Sequence, residues 1–159
     1  MITELRIADL GVISDAIIGL HPGLTVVTGE TGAGKTMIIS GLGLLLGGRA
    51  DPRSVRRGSE RARVEGRFKI DNIELAETVL EAGGQLDDDE LIVARHVTSA
   101  GRSRAYVGGA QVPASACAEL TATLVRIHGQ AEQERLTEAD RQRQLLDRFA
   151  GVPALEPLA

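Results

Sequence analysis

Eight consecutive residues match the phosphate-binding loop pattern G-x-x-x-x-G-K-[ST] at every position. They are Gly29, Glu30, Thr31, Gly32, Ala33, Gly34, Lys35 and Thr36. Glycines in such a loop let the backbone curl, so that successive N–H groups point at phosphate oxygens. Lys35 is then expected to bind the β- and γ-phosphates, and the Thr36 hydroxyl to bind Mg²⁺. The octapeptide predicts a binding site for a nucleoside triphosphate such as ATP, together with Mg²⁺.

The residues on either side supply the context that this motif requires. Residues 24–28 are apolar and β-branched, which predicts a buried strand. Residues 37–46 are largely apolar and contain no proline, which predicts a buried helix. Strand, glycine loop and helix in that order favour a phosphate-binding loop over a chance glycine-rich turn.

A second acidic strand, which an ATPase of this kind needs for Mg²⁺ and the attacking water, is not recognisable in the sequence. The acidic residues 87–90 precede the apolar residues 91–93 instead of following them, which predicts a solvated turn entering a strand. Residues 108–111 (Gly-Gly-Ala-Gln) resemble part of a glycine-rich ATPase signature, but they follow a strand and are better explained as a hairpin turn. These 159 residues are therefore expected to hold ATP and to hydrolyse little or none of it.

Gln130 is the other candidate site residue. It follows the predicted strand 124–127 in a polar segment, where its amide could reach Mg²⁺ or the attacking water; on spacing alone, a surface glutamine is the default interpretation. His96 and His128 have no partners at metal-site spacing, which favours a structural or surface role for both. Cys117 is the single cysteine, which excludes an internal disulfide and favours a small buried residue over a nucleophile.

Composition places the chain among soluble globular proteins of one domain, with 43% apolar and 25% charged residues. Its N-terminus has no signal-peptide pattern and no apolar stretch is long enough to span a membrane, so a cytoplasmic protein is expected. The net charge of −4 argues against a uniformly basic nucleic-acid binder. Seven arginines nevertheless fall within nineteen residues and form either a phosphate-binding stripe or a solvated surface: Arg49, Arg53, Arg56, Arg57, Arg61, Arg63 and Arg67. With three aromatic residues in the chain, a base-stacking platform is not expected.

The remaining elements follow from hydrophobic periodicity and from glycine and proline positions. A leading antiparallel strand pair is predicted at residues 4–8 and 13–20, and glycines 47 and 48 end the first helix. Later strands are predicted at residues 62–70, 91–94, 103–107 and 124–127. Helices are predicted at residues 73–82, from Pro113 to about 123, and at 138–149, before an irregular end at 151–159.

Several stretches together closely resemble the RecN family of bacterial DNA repair proteins, within the SMC-like branch of the cassette ATPases. They are residues 1–7, 22–36, 42–51, 101–107 and 127–130. The resemblance covers nearly the whole chain and implies an α/β fold of the P-loop NTPase class. It implies the N-terminal lobe of an ABC/SMC-type ATPase head with an antiparallel β-subdomain, over residues 1–150. Residues 151–159 would then begin the connection to a long coiled coil, with the signature and acidic strand in a later C-terminal half.

The resemblance also implies roles for particular residues. Gln130 matches the glutamine that contacts Mg²⁺ and the attacking water. Arg56 matches the arginine after the first helix that approaches the nucleotide or DNA, with Arg57 as the adjacent alternative. Ala131 and Gln133 stand where relatives commonly have histidines, so no role of those histidines is carried over.

Three hypotheses follow for function. The first, implied by the resemblance, is an ATP-binding half-head acting in recombinational repair of DNA double-strand breaks. Its partners would be DNA ends or single-stranded regions and the C-terminal half of the same head. A second copy would join through ATP-sandwiched heads or through the coiled coil. The protein would be located at the nucleoid and would not bind a membrane. The second is a small P-loop metabolite kinase, although no lid or acceptor-binding acid is recognisable. The third is a structural module whose nucleotide only stabilises a DNA-tethering assembly.

Overall fold

The computed structural model describes residues 1–28 and 33–125. Their elements, in chain order, are β1 (Ile2–Leu10), β2 (Ile13–Gly19), α1 (Ala33–Leu45), a short 3₁₀ helix (Pro52–Ser54), β3 (Arg61–Lys69), α2 (Ile73–Glu81), β4 (Glu90–Thr98), β5 (Ser103–Val107), β6 (Ala110–Val112) and α3 (Ala114–Leu124).

The six strands form one antiparallel sheet in the order β2-β1-β3-β4-β5-β6. The leading strand pair predicted from the sequence is confirmed as β1 and β2, and the predicted hairpin as β4 and β5. Residues 87–90 form the predicted turn into β4, and the two glycines of residues 108–111 form the predicted turn between β5 and β6. In β3, residues 62, 64, 66 and 68 are buried and the residues between them are not, as the alternating pattern predicts.

Helices α1 and α3 lie on one face of the sheet and cover the core. α1 contacts β1, β3 and β4, while α3 contacts β5 and α1. Gly66 lets α1 approach β3 closely, because a Cβ there would stand 2.8 Å from Leu45 Cδ1. The Thr121 hydroxyl on α3 is buried and donates to the carbonyls of Cys117 (2.8 Å) and Leu45 (3.2 Å). Cys117 is fully buried, as expected.

The ends of the helices are set by residues that lie close to them in the chain. Gly47 has φ +82°, and Gly48 N donates to Gly43 O at 2.8 Å, which closes α1 as glycine caps commonly do. Asn72 caps α2, since its side-chain oxygen accepts from the N–H of Glu74 at 2.8 Å. Pro113 precedes α3, so all three predicted helices within the described residues are confirmed.

The predicted strand at residues 24–28 is wrong, and the one at residues 124–127 is wrong at its first residue. Residues 24–28 form no strand, and Leu24, Val26 and Val27 are exposed to 91%, 67% and 46%. An apolar segment becomes a strand only when a neighbour satisfies its backbone groups, and no strand in the described part of the chain pairs with it. Leu124 belongs to α3, whereas its C-cap Val125 has extended backbone angles (φ −140°, ψ 140°), and residues 126–127 lie outside the described residues. The predicted helix 138–149 and the end at 151–159 lie outside the described residues.

Candidate nucleotide site and the adjoining arginine loop

The second half of the phosphate-binding motif forms the start of α1. The helix begins at Ala33, so that Gly34, Lys35 and Thr36 lie in its first turn. This turn contains no acidic side chain, and the N-terminus of a helix carries a partial positive charge. Lys35 is partly buried and Thr36 is exposed. These residues fit a triphosphate with Mg²⁺ by charge and by donor type; residues 29–32 lie outside the described residues, and the role of each motif residue stays a prediction.

The loop that follows α1 carries the predicted arginine, and residues 51–59 are called the arginine loop here. Asp51 opens it by accepting a hydrogen bond from Arg53 N at 2.9 Å. The Arg53 guanidinium also pairs with the Asp51 carboxylate at 2.8 Å. The hydrogen bonds from Arg53 lower the pKa of Asp51 below its ordinary value. The Arg53 side chain is therefore engaged by Asp51 within the same loop.

The arginine loop is fastened to the end of β1 by backbone hydrogen bonds. Gly11 N donates to Ser54 O at 2.7 Å, and Arg56 N donates to Asp9 O at 2.8 Å. Between these bonds, Leu10 and Val55 form an antiparallel bridge. Leu10 is fully buried and Val55 is 9% exposed, so the loop is held by the core as well as by hydrogen bonds.

Arg56 is connected through the β1–β2 turn to the start of α1. Its Nη1 donates to the carbonyl of Val12 in that turn at 2.7 Å. The neighbouring Gly11 has φ +55°, and a Cβ added to it would stand 2.3 Å from Met37 Sδ. Met37 is only two residues beyond Lys35. Arg56 thus contacts the β1–β2 turn, and this turn contacts the helix in which the phosphate-binding motif ends.

Gln130 lies outside the described residues, as do residues 131 and 133. Its predicted contact with Mg²⁺ therefore stays a prediction. Within residues 1–28 and 33–125, no cluster of three or more His, Cys, Asp or Glu side chains has the arrangement of a metal site. None of the helices in these ranges is long and apolar enough to cross a membrane.

The sheet face opposite α1 and α3 carries a basic cluster that sequence reasoning did not assemble. The register pairs Arg63 of β3 with His96 of β4, and His96 with Arg104 of β5. Arg61 lies on the same face two residues before Arg63, and all three arginines are exposed. The only sequence signal was the alternating polar face of β3, because Arg104 is distant in the chain. We call Arg61, Arg63, His96 and Arg104 the basic face.

Carboxylates neutralise part of the arginine stripe but not all of it. Arg67 lies within 3.6–3.7 Å of three carboxylates: Glu4, Asp87 and Glu90. Arg63 pairs with Glu65. Within the described part of the chain, no carboxylate pairs with Arg61 or Arg104. The stripe seen in the sequence is therefore divided into arginines that carboxylates neutralise and arginines such as Arg61 that no described carboxylate pairs with.

His96 does not add charge to this face near neutral pH. Partial burial lowers the pKa of His96, and the charges of Arg63, Arg61 and Arg104 lower it further, against the opposing effect of Glu65. Its ring lies 4.9 Å from that of Tyr106, tilted by 49°. Protonation would place a cation among three others, so the ring stays neutral.

The fold and the motif together are typical of the head domains of P-loop ATPases. A Smc head domain from Pyrococcus furiosus, solved with an extended coiled coil and the C-terminal domain of ScpA, has a TM-score of 0.70 at 21% identity, over 94% of this chain and 42% of that one. The recombination mediator protein RecF gives 0.63 at 15% identity, over 92% and 37%. The profile of the AAA domain family matches residues 4–147, so the chain belongs to that family. The predicted fold class is confirmed.

Nearly the whole chain is also similar to bacterial proteins named DNA repair protein RecN. That of Streptomyces coelicolor is 53% identical over 156 residues, which are 98% of this chain and 27% of the relative. That of Mycobacterium tuberculosis H37Rv is 48% identical over 96% of this chain and 27% of the relative. The resemblance to the RecN family is confirmed, and the chain spans about a quarter of the length of these relatives. This similarity does not favour a small metabolite kinase.

Proposed function

We propose that this chain is the ATP-binding N-terminal half of the ATPase head of a RecN-like DNA repair protein. The observation that carries the proposal is the phosphate-binding motif at the start of α1, within a chain 53% identical to a RecN over 156 residues. Residues 1–150 are the half-head in this proposal. Residues 151–159 begin the connection to a coiled coil, and the C-terminal half of the head follows it.

The chain's own residues would bind and orient ATP. Backbone N–H groups of residues 29–34 cradle the phosphates, Lys35 neutralises the β- and γ-phosphates, and Thr36 with Gln130 holds Mg²⁺. Mg²⁺ supplies positive charge against the charge that develops during phosphoryl transfer. Because the sequence shows no acidic strand, the carboxylates come from the C-terminal half. The isolated 159 residues therefore bind ATP and turn over little of it.

Exposed apolar residues support the C-terminal half as a partner. Leu24 and Val26, immediately before the phosphate-binding motif, are 91% and 67% exposed. Fully burying such a side chain contributes roughly 1.5–3 kcal/mol. We propose that residues 24–28 become a strand when the C-terminal half supplies neighbours, and that a second copy joins through ATP held between two heads.

The basic face supports DNA as a further partner. Arg61 and Arg104, which no described carboxylate pairs with, lie on one exposed side of the sheet beside Arg63, which pairs with Glu65. Their positive charges suit contacts to a phosphate backbone. Among the described residues of this face, the side chains with rings are Tyr106 and His96, and these two rings contact each other. We therefore propose backbone contacts rather than base stacking, in a cytoplasmic protein that works at DNA ends or single-stranded regions of the nucleoid.

Replacement of Lys35 tests the ATPase proposal. In the full-length protein, Lys35→Ala should reduce ATP turnover at least about 100-fold, because it removes the charge that stabilises the transferring phosphoryl group. Steady-state turnover with and without DNA is the measurement. Lys69→Ala is the matched control, since Lys69 is the only other lysine and lies exposed at the end of β3.

Normal turnover by Lys35→Ala would contradict the proposed site. Absence of turnover in the unaltered full-length protein, with and without DNA, would contradict the ATPase and favour a module in which the nucleotide only stabilises an assembly. Phosphotransfer from ATP to small acceptors would contradict the repair ATPase in favour of a kinase.

A further inference from the structure

We infer that Asp9 and Ser59 are positioning residues for Arg56, and that they hold the arginine loop in the geometry that its arginine needs. The inference rests on the proposed role of Arg56 near the nucleotide or DNA. Neither residue belongs to a motif that the sequence reveals, and both lie apart from the phosphate-binding loop in the chain.

Asp9 has an unusual backbone conformation at the point where β1 changes partner. The last pair between β1 and β3 is Ala8 with Arg63, and the next bridge of β1 is Leu10 with Val55 of the arginine loop. Between them, Asp9 has φ +54°. Among residues with a Cβ, aspartate and asparagine tolerate this left-handed region best. The turn at Asp9 directs its carbonyl to Arg56 N, at 2.8 Å.

The side chain of Asp9 holds the other end of the same segment. Ser59 Oγ donates to Asp9 Oδ1 at 2.8 Å, and Ser59 N donates to Arg56 O at 2.9 Å. The second bond closes a turn over residues 56–59, in which Gly58 has φ +90°. One residue, Asp9, therefore fixes both ends of the turn: its carbonyl binds the first residue and its carboxylate binds the last.

This arrangement restricts the position of Arg56 before any ligand binds. Its backbone N–H and carbonyl are both engaged, and its Nη1 is bonded to Val12 O at 2.7 Å. A guanidinium has five N–H donors, so one such bond can orient the group while other donors serve an anion. Preorganisation of this kind raises affinity and rate, because less freedom is lost when the ligand binds.

A purely structural role for Asp9 and Ser59 is the competing explanation, and a double-mutant cycle separates the two. In the full-length protein, Ser59→Ala removes one hydrogen bond and should lower kcat/KM for ATP, or the stimulation of turnover by DNA, about five-fold. The affected parameter should be the one that Arg56→Ala alters, and it should change in the same direction. In the Arg56→Ala background, Ser59→Ala should then change it less than about 1.5-fold.

Conservative and control variants complete the experiment. Ser59→Thr keeps the hydroxyl and Asp9→Asn keeps both an acceptor and tolerance of positive φ, so each should retain at least about half of the activity. Thr78→Ala is the matched control, because it removes an exposed hydroxyl that bonds Glu74 O within α2 at 2.8 Å. The thermal midpoint of each variant is measured alongside turnover.

Two results for Ser59→Ala would overturn the inference. One is an equal loss from Ser59→Ala with and without Arg56, which shows a structural effect; the other is normal activity of Ser59→Ala while Arg56→Ala is impaired. If Arg56→Ala keeps normal turnover and stimulation, the role of Arg56 fails and the inference fails with it. Lys35→Ala in the same series shows separately whether the nucleotide site itself stands.

Discussion

His96 shows how neighbouring residues set the chemistry of one side chain. Sequence reasoning assigned it a structural or surface role for lack of metal partners. In the structure it stands between Arg63 and Arg104 in the sheet register, partly buried. Burial and the nearby arginines lower the pKa of His96 from its ordinary 6.5. The lowered pKa of His96 is thus set first by burial and then by the charges of the basic face.

A depressed pKa in the folded state makes stability depend on pH. The unfolded chain takes up a proton on His96 near pH 6.5, while the folded chain resists it. This contribution to stability is therefore complete above the unfolded pKa and is lost as pH falls through the folded pKa. His96→Gln should lose less free energy of unfolding than the unaltered protein between about pH 7.5 and 5.5 in urea titrations. An equal loss in both proteins would contradict the pKa shift.

The same histidine can report on DNA. Phosphates placed on the basic face would offset the charges of Arg61 and Arg104, and the pKa of His96 should rise when duplex DNA is added. NMR titration of the ring protons measures this rise, and about 0.5 M salt should abolish it by screening. If the pKa does not move while DNA is bound, the DNA contact lies elsewhere.

At the scale of elements, Gly47 at the end of α1 has one role that the sequence predicts and a second role that only the fold shows. Gly47 was predicted to end the helix, and its φ of +82° explains that role. A Cβ at Gly47 would also stand 2.2 Å from Ala118 Cβ on α3. The glycine therefore both caps α1 and lets α3 pack against its end, and only the first role follows from the sequence.

Substitution at two glycines of similar backbone conformation separates these roles. Gly109 has φ +83° but no atom within 4 Å of a Cβ, so Gly109→Ala should cost only the backbone penalty of about 1–2 kcal/mol. Gly47→Ala meets the same penalty and the contact with Ala118, and should cost about 1–3 kcal/mol more. Urea unfolding of both variants measures the difference. Adding Ala118→Gly to Gly47→Ala should recover part of it, and no recovery would contradict the steric explanation.

At the scale of the whole molecule, residues 24–28 have a strand preference that the described part of the chain does not use. Their pattern predicts a strand, yet the structure leaves three of their apolar side chains exposed. Their intrinsic preference is unchanged, but a strand also needs a neighbour to satisfy its backbone. The chain spans 27% of the length of its RecN relatives, and our proposal assigns the neighbouring strands to the C-terminal half of the head.

Hydrogen exchange tests this dependence. In the 159-residue chain, the amides of residues 24–28 should exchange fast, whereas those of β3 should be protected. In the full-length protein, the amides of residues 24–28 should gain protection of at least about 100-fold. Val26→Asp should leave the stability of the short chain nearly unchanged and destabilise the full-length protein. Equal exchange in both proteins would contradict the proposed strand.

Local chemistry by itself determined much of this protein. The phosphate-binding motif, the glycine cap of α1, the Asn72 cap of α2, the proline before α3 and the alternation of β3 each depend on residues close in the chain. Such signals can be read without a fold because a turn, a cap or a buried face is set by a few neighbouring side chains.

Tertiary structure decided what depends on contacts between distant residues. Sheet register brought Arg104 beside His96, and the end of β1 received the arginine loop through Asp9 and Ser59. Residues 24–28 stayed exposed, with no pairing strand among the described residues. None of these could be read from the sequence, because strand pairing and loop docking are chosen by the free energy of the assembled core rather than by any local preference.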